Sequence, residues 1–174
     1  FLSDYLRYLF SGSDTQVTLQ QETEHCKSYI QLQQIKYPDT IFYMFELASG
    51  TENIRIPKFL LQTVVENIFK HGFSPEQFLS IFLESALEEQ NGVRGLRMTV
   101  EDNGCGMTEE TRKHIFDKFY QADSSHAGSG NGLGLALVKR IVNMCKGQIK
   151  VESEVGVGSE FTVILPDEVL PNEI

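Results

Sequence analysis

The predicted fold is organised around a stretch that reads Leu96-Arg97-Met98-Thr99-Val100-Glu101-Asp102-Asn103-Gly104-Cys105-Gly106-Met107. Apolar and polar residues alternate through its first half, which predicts a strand whose apolar face also carries Asp102. An inward carboxylate needs hydrogen bonds from the backbone of the following turn or from a ligand. Gly104 and Gly106 lack a Cβ atom, so a flat group can approach them closely. Two interpretations stay open here: an Asp-Asn-Gly turn capped by Asp102 itself, or a binding site.

Length and composition indicate one globular domain with an appendage. The chain has 174 residues, 41% of them hydrophobic and 22% charged. A formal net charge of −9 argues against nucleic-acid binding, because phosphate backbones are held by clustered Lys and Arg. Three widely spaced cysteines favour neither a disulfide framework nor a zinc site and fit a reducing, cytoplasmic setting. The chain starts inside an apolar pattern, and we expect a fragment in which residues 1–13 end a truncated helix and residues 14–174 form the main domain.

Helix and strand signals alternate along the main domain. Helices are predicted over residues 18–37, from a Thr18–Gln21 capping box, over 58–71 after Pro57, after the cap Thr108, and from about Gly132. Strands are predicted over residues 40–47, 77–88, 96–102, 148–154 and 159–165. In the last helix, periodicity predicts a buried side made of Leu133, Leu137, Val138, Ile141 and Cys145.

The polar side of the predicted helix 58–71 gathers an acid, an amide and a cation within one turn: Glu66, Asn67 and Lys70. This pattern fits a solvated helix face with a Glu66–Lys70 ion pair, or a site. Four glycines at alternate positions from 128 to 134 precede the last helix. They describe either a flexible hinge or a helix N-terminus left open to an anion. Their spacing is neither a dinucleotide fingerprint nor a Walker A loop.

Taken in order, these motifs closely resemble the ATP-binding domain shared by DNA gyrase, heat-shock chaperones, histidine kinases and mismatch-repair ATPases, the GHKL superfamily. The matching segments are an N box at 65–71, glycine boxes at 101–107, 130–135 and 156–162, and an F box at 115–120. IFDKFYQADSS and GSGNGLGLALVKRIV are similar to histidine kinases, and VTLQQETEHCKSYIQLQQIKY resembles LytS/YesM-like bacterial sensor kinases. The resemblance implies an α/β fold, a two-layer sandwich in which a mixed sheet of about five strands is covered on one face by about three helices, preceded by helical segments.

Roles follow from the resemblance position by position. Asp102 would accept a hydrogen bond from the adenine amino group, and Asn67 would coordinate Mg²⁺. Glu66 would polarise the phosphate acceptor, and Lys70 would steady a phosphate. The catalytic set is therefore Glu66, Asn67 and Lys70. The implied ATP-binding set is Asn67, Lys70, His71, Asp102, Gly104, Gly106, Met107, Phe119, Tyr120, Gly130, Asn131, Gly132, Leu133, Gly134, Leu135 and Thr162.

The resemblance also implies a setting for the chain. Expected cofactors are ATP and Mg²⁺, and the expected activity is phosphoryl transfer to a histidine on an upstream segment outside this chain. Expected partners are that dimerisation and phosphoacceptor segment and a response regulator, in a homodimeric, membrane-anchored bacterial sensor whose kinase domain is cytoplasmic. The alternatives are a nucleotide-binding regulatory module without transfer activity, a serine kinase that antagonises a sigma factor, and an ATP-hydrolysing chaperone relative.

Overall fold

The computed structural model describes residues 15–90, 93–121 and 132–166. Its helices are α1 (Leu19–Lys36), α2 (Leu60–Asn67), α3 (Glu109–His114) and α4 (Gly134–Met144), and α2 continues into a π-helical turn, Ile68–Gly72. Its strands are β1 (Gln16–Thr18), β2 (Ile41–Leu47), β3 (Arg55–Pro57), β4 (Leu79–Gln90), β5 (Val93–Asp102), β6 (Gln148–Glu154) and β7 (Gly158–Pro166).

Five strands form one mixed sheet in the order β2-β4-β5-β7-β6. β2 and β4 are parallel, and the other neighbours are antiparallel. β5 is the central strand, and its last residue, Asp102, pairs with Ile81 on one side and Ser159 on the other. β1 and β3 form a separate antiparallel ribbon that the sequence did not predict. The predicted mixed sheet of about five strands is confirmed.

Helices cover one face of this sheet. α2 packs between α1 and α4, and side chains from these three helices meet the inward residues of the strands in one apolar core. The core includes Leu19, Ile30, Leu61, Val64, Met98 and Phe161. The opposite face carries exposed apolar side chains, among them Phe42, Met44 and Phe82. The predicted two-layer α/β sandwich with about three covering helices is therefore confirmed.

The start of α1 follows the sequence prediction. The backbone N–H of Gln21 donates to Thr18 Oγ1 at 3.1 Å, and Gln21 Oε1 accepts from the backbone N–H of Thr18 at 3.0 Å. This reciprocal pair satisfies two N–H groups that a helix start leaves without partners. The helix ends at Lys36, close to the predicted end at Tyr37.

Two predicted helix boundaries are wrong. Pro57 ends strand β3, α2 begins only at Leu60, and the regular helix stops at Asn67 before the π-helical turn. α4 begins at Gly134 instead of Gly132, and its fully buried side consists of Leu135, Val138 and Val142. Of the predicted buried side, Val138 is fully buried, and Ile141 and Cys145 pack partly buried against the core. Leu133 and Leu137 are only half-buried, and the buried Leu135 and Val142 were not predicted.

The predicted helix tail at residues 1–13 lies outside the described residues, so the proposed division at residues 13 and 14 stays a prediction. Within the described ranges, no helix combines the length and apolar character needed to cross a bilayer.

Candidate functional site

Asp102 ends β5 with its side chain buried at 5% exposure, as the strand alternation predicted. Its Oδ1 accepts a hydrogen bond from the backbone N–H of Gly104 at 2.8 Å, and the backbone N–H of Ser159 also donates to the carboxylate. Burial raises the pKa of Asp102 to about 6, although the two N–H groups favour the ionised form. A carboxylate offers about four lone-pair sites, so these two bonds leave room for a ligand donor.

The glycines of this turn make room for the chain itself. A Cβ atom at Gly104 would lie 2.6 Å from the carbonyl oxygen of Gly72. Gly106 has φ of +67°, and a Cβ atom there would overlap the carbonyl oxygen of Glu154. The closest neighbours at both positions are carbonyl oxygens, and Asp102 Oδ1 would also lie 2.7 Å from a Cβ atom at Gly104, which accounts for the glycines without a flat ligand. The predicted contact of Gly104 and Gly106 with ATP stays a prediction.

Backbone bonds tie the turn to two neighbouring elements. The N–H of Cys105 donates to the Gly72 carbonyl at 3.0 Å, and the carbonyl of Cys105 accepts from the N–H of Gly156 at 2.8 Å. The N–H of Met107 donates to Ser153 Oγ at 2.8 Å. The turn after β5 is thus fixed between the end of the π-helical turn and the β6–β7 hairpin.

The acid, amide and cation at the end of α2 are held more loosely. Gln62 Nε2 donates to Glu66 Oε1 at 3.0 Å, and Lys70 Nζ donates to Glu66 Oε2 at 3.4 Å. The side chains of Glu66 and Lys70 are 19% and 38% exposed. Asn67 is half-buried, and no hydrogen bond joins its carboxamide to another of the described residues. His71 is exposed, and its carbonyl accepts a hydrogen bond from the Cys105 thiol at 3.1 Å.

Two close contacts place this helix end between the other parts of the site. A Cβ atom at Gly72 would lie 3.5 Å from Asp102 Oδ1, so the π-helical turn reaches the buried carboxylate. Thr63 Cγ2 would lie 3.3 Å from a Cβ atom at Gly134, at the start of α4. The segment that carries Glu66, Asn67 and Lys70 therefore runs from the N-terminus of α4 to the turn after β5.

The F-box residues meet the second glycine box. The N–H of Phe119 donates to the Gly132 carbonyl at 2.9 Å, and a Cβ atom at Gly132 would lie 2.7 Å from the carbonyl oxygen of Tyr120. The Phe119 ring is 71% exposed, and its backbone has φ of +65°. The segment that precedes residues 122–131 is therefore in contact with the segment that follows them. Gly130 and Asn131, both predicted to bind ATP, lie outside the described residues.

The remaining predicted residues divide between the core and the opposite sheet face. Leu135 is part of the core, with 7% of its surface exposed, and Met107 packs against the core. Leu133 is half-buried. Thr162 lies opposite Thr99 on the sheet face that the helices leave open, where its Oγ1 is 3.5 Å from Glu160 Oε1. The structure does not bring Thr162 together with Asp102 or Asn67, so its assignment stays a prediction without geometric support.

Three residues outside the predicted site set also shape the site. Gln62 holds Glu66, Gly72 approaches Asp102, and Glu22 binds the start of α2. Gln62 and Gly72 stood next to recognised motifs and could have been included on that ground. Glu22 resembles any acid in a first helical turn, and only the tertiary structure distinguishes it.

Comparison with protein-family models identifies the family of this chain. The model of the histidine kinase-, DNA gyrase B- and HSP90-like ATPases matches residues 52–169, more than half of the chain. The chain belongs to this ATPase family. A second model, described as histidine kinase, matches residues 1–41. The family model thus covers the turn after β5, the α2 segment and the start of α4, and the histidine kinase resemblance is confirmed.

Sensor kinases are among the relatives of this family member. It is 28% identical over 181 residues to the signal transduction histidine-protein kinase ArlS of Staphylococcus aureus, which covers 94% of this chain and 37% of the relative. It is 45% identical over 73 residues to the sensor protein RprX of Bacteroides fragilis, with 41% of this chain and 14% of the relative covered. AtoS of Escherichia coli, a signal transduction histidine-protein kinase, is 48% identical over 69 residues, or 40% of this chain and 11% of the relative. The chain spans well under half the length of these curated relatives.

Solved structures support the fold. The catalytic domain of the histidine kinase ThkA in a nucleotide-free form superposes with a TM-score of 0.65 at 21% identity, with 87% of this chain and 94% of that chain covered. The mycobacterial sensor histidine kinase MprB superposes with a TM-score of 0.63 at 17% identity, covering 87% and 95%. This chain therefore has the fold of a histidine kinase catalytic domain.

Proposed function

We propose that the chain binds Mg-ATP and transfers the γ-phosphate to a histidine on an upstream segment of the same protein. The observation that carries this proposal is the position of Glu66, Asn67 and Lys70 between the buried Asp102 carboxylate and the start of α4. ATP laid along this path would meet an acceptor for its adenine amino group at one end and a helix N-terminus for its phosphates at the other.

The side chains at the end of α2 are suited to phosphoryl transfer, which depends mainly on positioning and charge neutralisation. Glu66 would hold and polarise the acceptor imidazole, and Lys70 would place a positive charge near a transferring phosphate. Asp102 would fix the adenine by accepting from its amino group, with the turn after β5 already in place.

The residues present fit a magnesium ion that bridges the nucleotide phosphates. Asn67 offers a carboxamide oxygen, and Mg²⁺ with nucleotides commonly takes only one or two protein ligands and completes its shell with water and phosphate oxygens. Among the described residues, no group of three or more His, Cys, Asp or Glu side chains could hold a metal ion. When bound, Mg²⁺ would neutralise phosphate charge during transfer.

The wider setting is part of the same proposal. The histidine kinase model that matches residues 1–41 supports a phosphoacceptor and dimerisation segment next to this domain. The names of the relatives support a two-component pathway in which a response regulator receives the phosphoryl group. The proposed protein is a homodimeric, membrane-anchored bacterial sensor with this domain in the cytoplasm.

The test is incubation of a protein extended upstream of Phe1 with ATP labelled at the γ-phosphate. We expect a label that is labile in acid and stable in base, as phosphohistidine requires. Asn67→Ala should abolish labelling and the Mg²⁺ dependence of nucleotide binding, whereas Asn143→Ala, which changes an exposed amide on α4, should leave both unchanged. Bound ATP without a label would indicate a binding module, and absence of ATP binding would overturn the proposal altogether.

A further inference from the structure

A buried carboxylate on α1 points into the start of α2. Glu22 is 1% exposed. Its Oε2 accepts from the backbone N–H of Phe59 at 3.1 Å, and its Oε1 accepts from the N–H groups of Leu61 and Gln62, each at 3.2 Å. One side chain thus binds three backbone N–H groups at the start of α2, which lie 37, 39 and 40 positions further along the chain.

This contact replaces a local helix cap. The residue before α2 is Phe59, whose side chain cannot accept a hydrogen bond and whose backbone has φ of +62°. The first N–H groups of a helix have no partner within the helix, and their positive dipole end favours an anion. Burial raises the pKa of Glu22, while the N–H groups of Gln62, Phe59 and Leu61 favour its ionised form. The start of α2 is therefore held by a residue of α1.

Gln62 connects this cap to the proposed catalytic acid. Its backbone N–H binds Glu22 Oε1 at 3.2 Å, and its side-chain Nε2 donates to Glu66 Oε1 at 3.0 Å, one helical turn further on. α1 also supports the far end of the segment, since the rings of Tyr29 and Phe69 meet edge to face at 5.6 Å between centroids. A shift of the Gln62 backbone would therefore move the donor that holds Glu66.

We infer that Glu22 is a positioning residue that acts through Gln62 to orient the Glu66 carboxylate for phosphoryl transfer. This inference rests on the proposed function and adds a residue outside every motif of the nucleotide site. The role concerns geometry at the end of the site where the phosphoryl-accepting histidine would bind, because neither Glu22 nor Gln62 contacts Asp102. Adenine binding should consequently be almost independent of Glu22.

The test compares Glu22→Gln with Glu24→Gln in the protein extended upstream of Phe1. Glutamine keeps the volume of Glu22 but turns an N–H donor toward one of the three backbone donors. Glu24 is an exposed acid on the same helix, paired with Lys27 at 2.7 Å. We expect Glu22→Gln to lower the phosphorylation rate per folded, nucleotide-saturated site about tenfold or more and to change ADP affinity less than about threefold. Glu24→Gln should change neither quantity.

Gln62→Met supplies a second variant that removes only the link to Glu66. It should lower the phosphorylation rate like Glu22→Gln, and the double variant should lose less than the product of the two single losses, since both act through one chain of contacts. Thermal unfolding measured in parallel separates loss of folded protein from loss of rate. If Glu22→Gln does not fold at the assay temperature, an unchanged rate in Gln62→Met still overturns the inference.

An unchanged rate in folded Glu22→Gln or in Gln62→Met overturns the inference while leaving the kinase proposal intact. Equal losses of rate and ADP affinity would also overturn it, because they would indicate a general disturbance of the domain. Failure of the wild-type protein to bind ATP would count against the proposed function itself.

Discussion

The turn after β5 and the turn after α2 lie against each other and are held in different ways. The backbone groups of the first bond to Gly72, Gly156 and the Ser153 hydroxyl, and glycines occur where a side chain would overlap a carbonyl. In the second, the functional side chains hold one another: Glu66, near the end of α2, accepts one hydrogen bond from Gln62 and has a 3.4 Å contact with Lys70 of the turn. Close backbone packing therefore determines the conformation of the first turn, whereas the second carries side chains proposed to act in catalysis. Substitutions in the first should mainly change stability, and substitutions in the second should mainly change ligand binding.

Of the substitutions in these two turns, Gly106→Ala should lower the free energy of unfolding the most. Alanine would combine an unfavourable positive φ of +67° with overlap on the Glu154 carbonyl, and we expect a loss of about 3–5 kcal/mol in the free energy of unfolding. Gly156→Ala is the matched control, since Gly156 also has a positive φ, +78°, but no atom lies within 4 Å of its added Cβ. It should lose only about 1–2 kcal/mol. Urea unfolding of both variants measures the difference, and equal losses would show that the turn is not tightly enclosed.

The Asp102 carboxylate, at the start of the same turn, should make a pH-dependent contribution to the stability of the protein. Burial raises its pKa from 3.8 to about 6, so the folded protein binds this proton more tightly than the unfolded chain does. The contribution of this group to stability is fully present below about pH 4 and is lost as pH rises through about 6, a change of at most about 3 kcal/mol. Asp102→Asn should remove this contribution.

Unfolding free energies at intervals from pH 4 to pH 7 test this expectation. The wild-type value minus the Asp102→Asn value should fall as pH rises across the interval. A difference that stays constant would show that Asp102 has an ordinary pKa in the folded protein. In the same variant, ATP affinity should fall strongly, because the amide can donate as well as accept toward the adenine amino group.

The contrast between the turns also explains what the sequence could predict. Asp102 was placed on the inward face because strand alternation is a local pattern that survives in the folded sheet. Thr18 and Gln21 were recognised because a capping box closes within four residues. The motifs around Asn67 and Asp102 were found because each occupies a short continuous segment.

Features that depend on distant segments were missed or misread. Glu22 lies in the first turn of α1, where the dipole of its own helix already favours an acid, yet its carboxylate binds the start of another helix. The close contacts of Gly104 with Gly72 and of Gly106 with Glu154 join segments far apart in sequence, so no local pattern could predict them. The ribbon of β1 and β3 escaped prediction because strands of three residues are too short to show an alternating pattern.

Lys70→Met should have the smallest effect on stability and the clearest effect on function. The Lys70–Glu66 pair is partly exposed and 3.4 Å long, so its loss should cost less than about 0.5 kcal/mol of unfolding free energy. Lys27→Met is the matched control, because Lys27 is 33% exposed and pairs with Glu24 at 2.7 Å outside the site. Both variants should unfold like the wild type, whereas only Lys70→Met should lose ATP affinity, by about tenfold for one phosphate contact. Calorimetric titration with ATP separates them. Equal affinities would place the phosphates away from the turn after α2, and a large loss of stability in Lys70→Met would show that this turn is held as firmly as the one after β5.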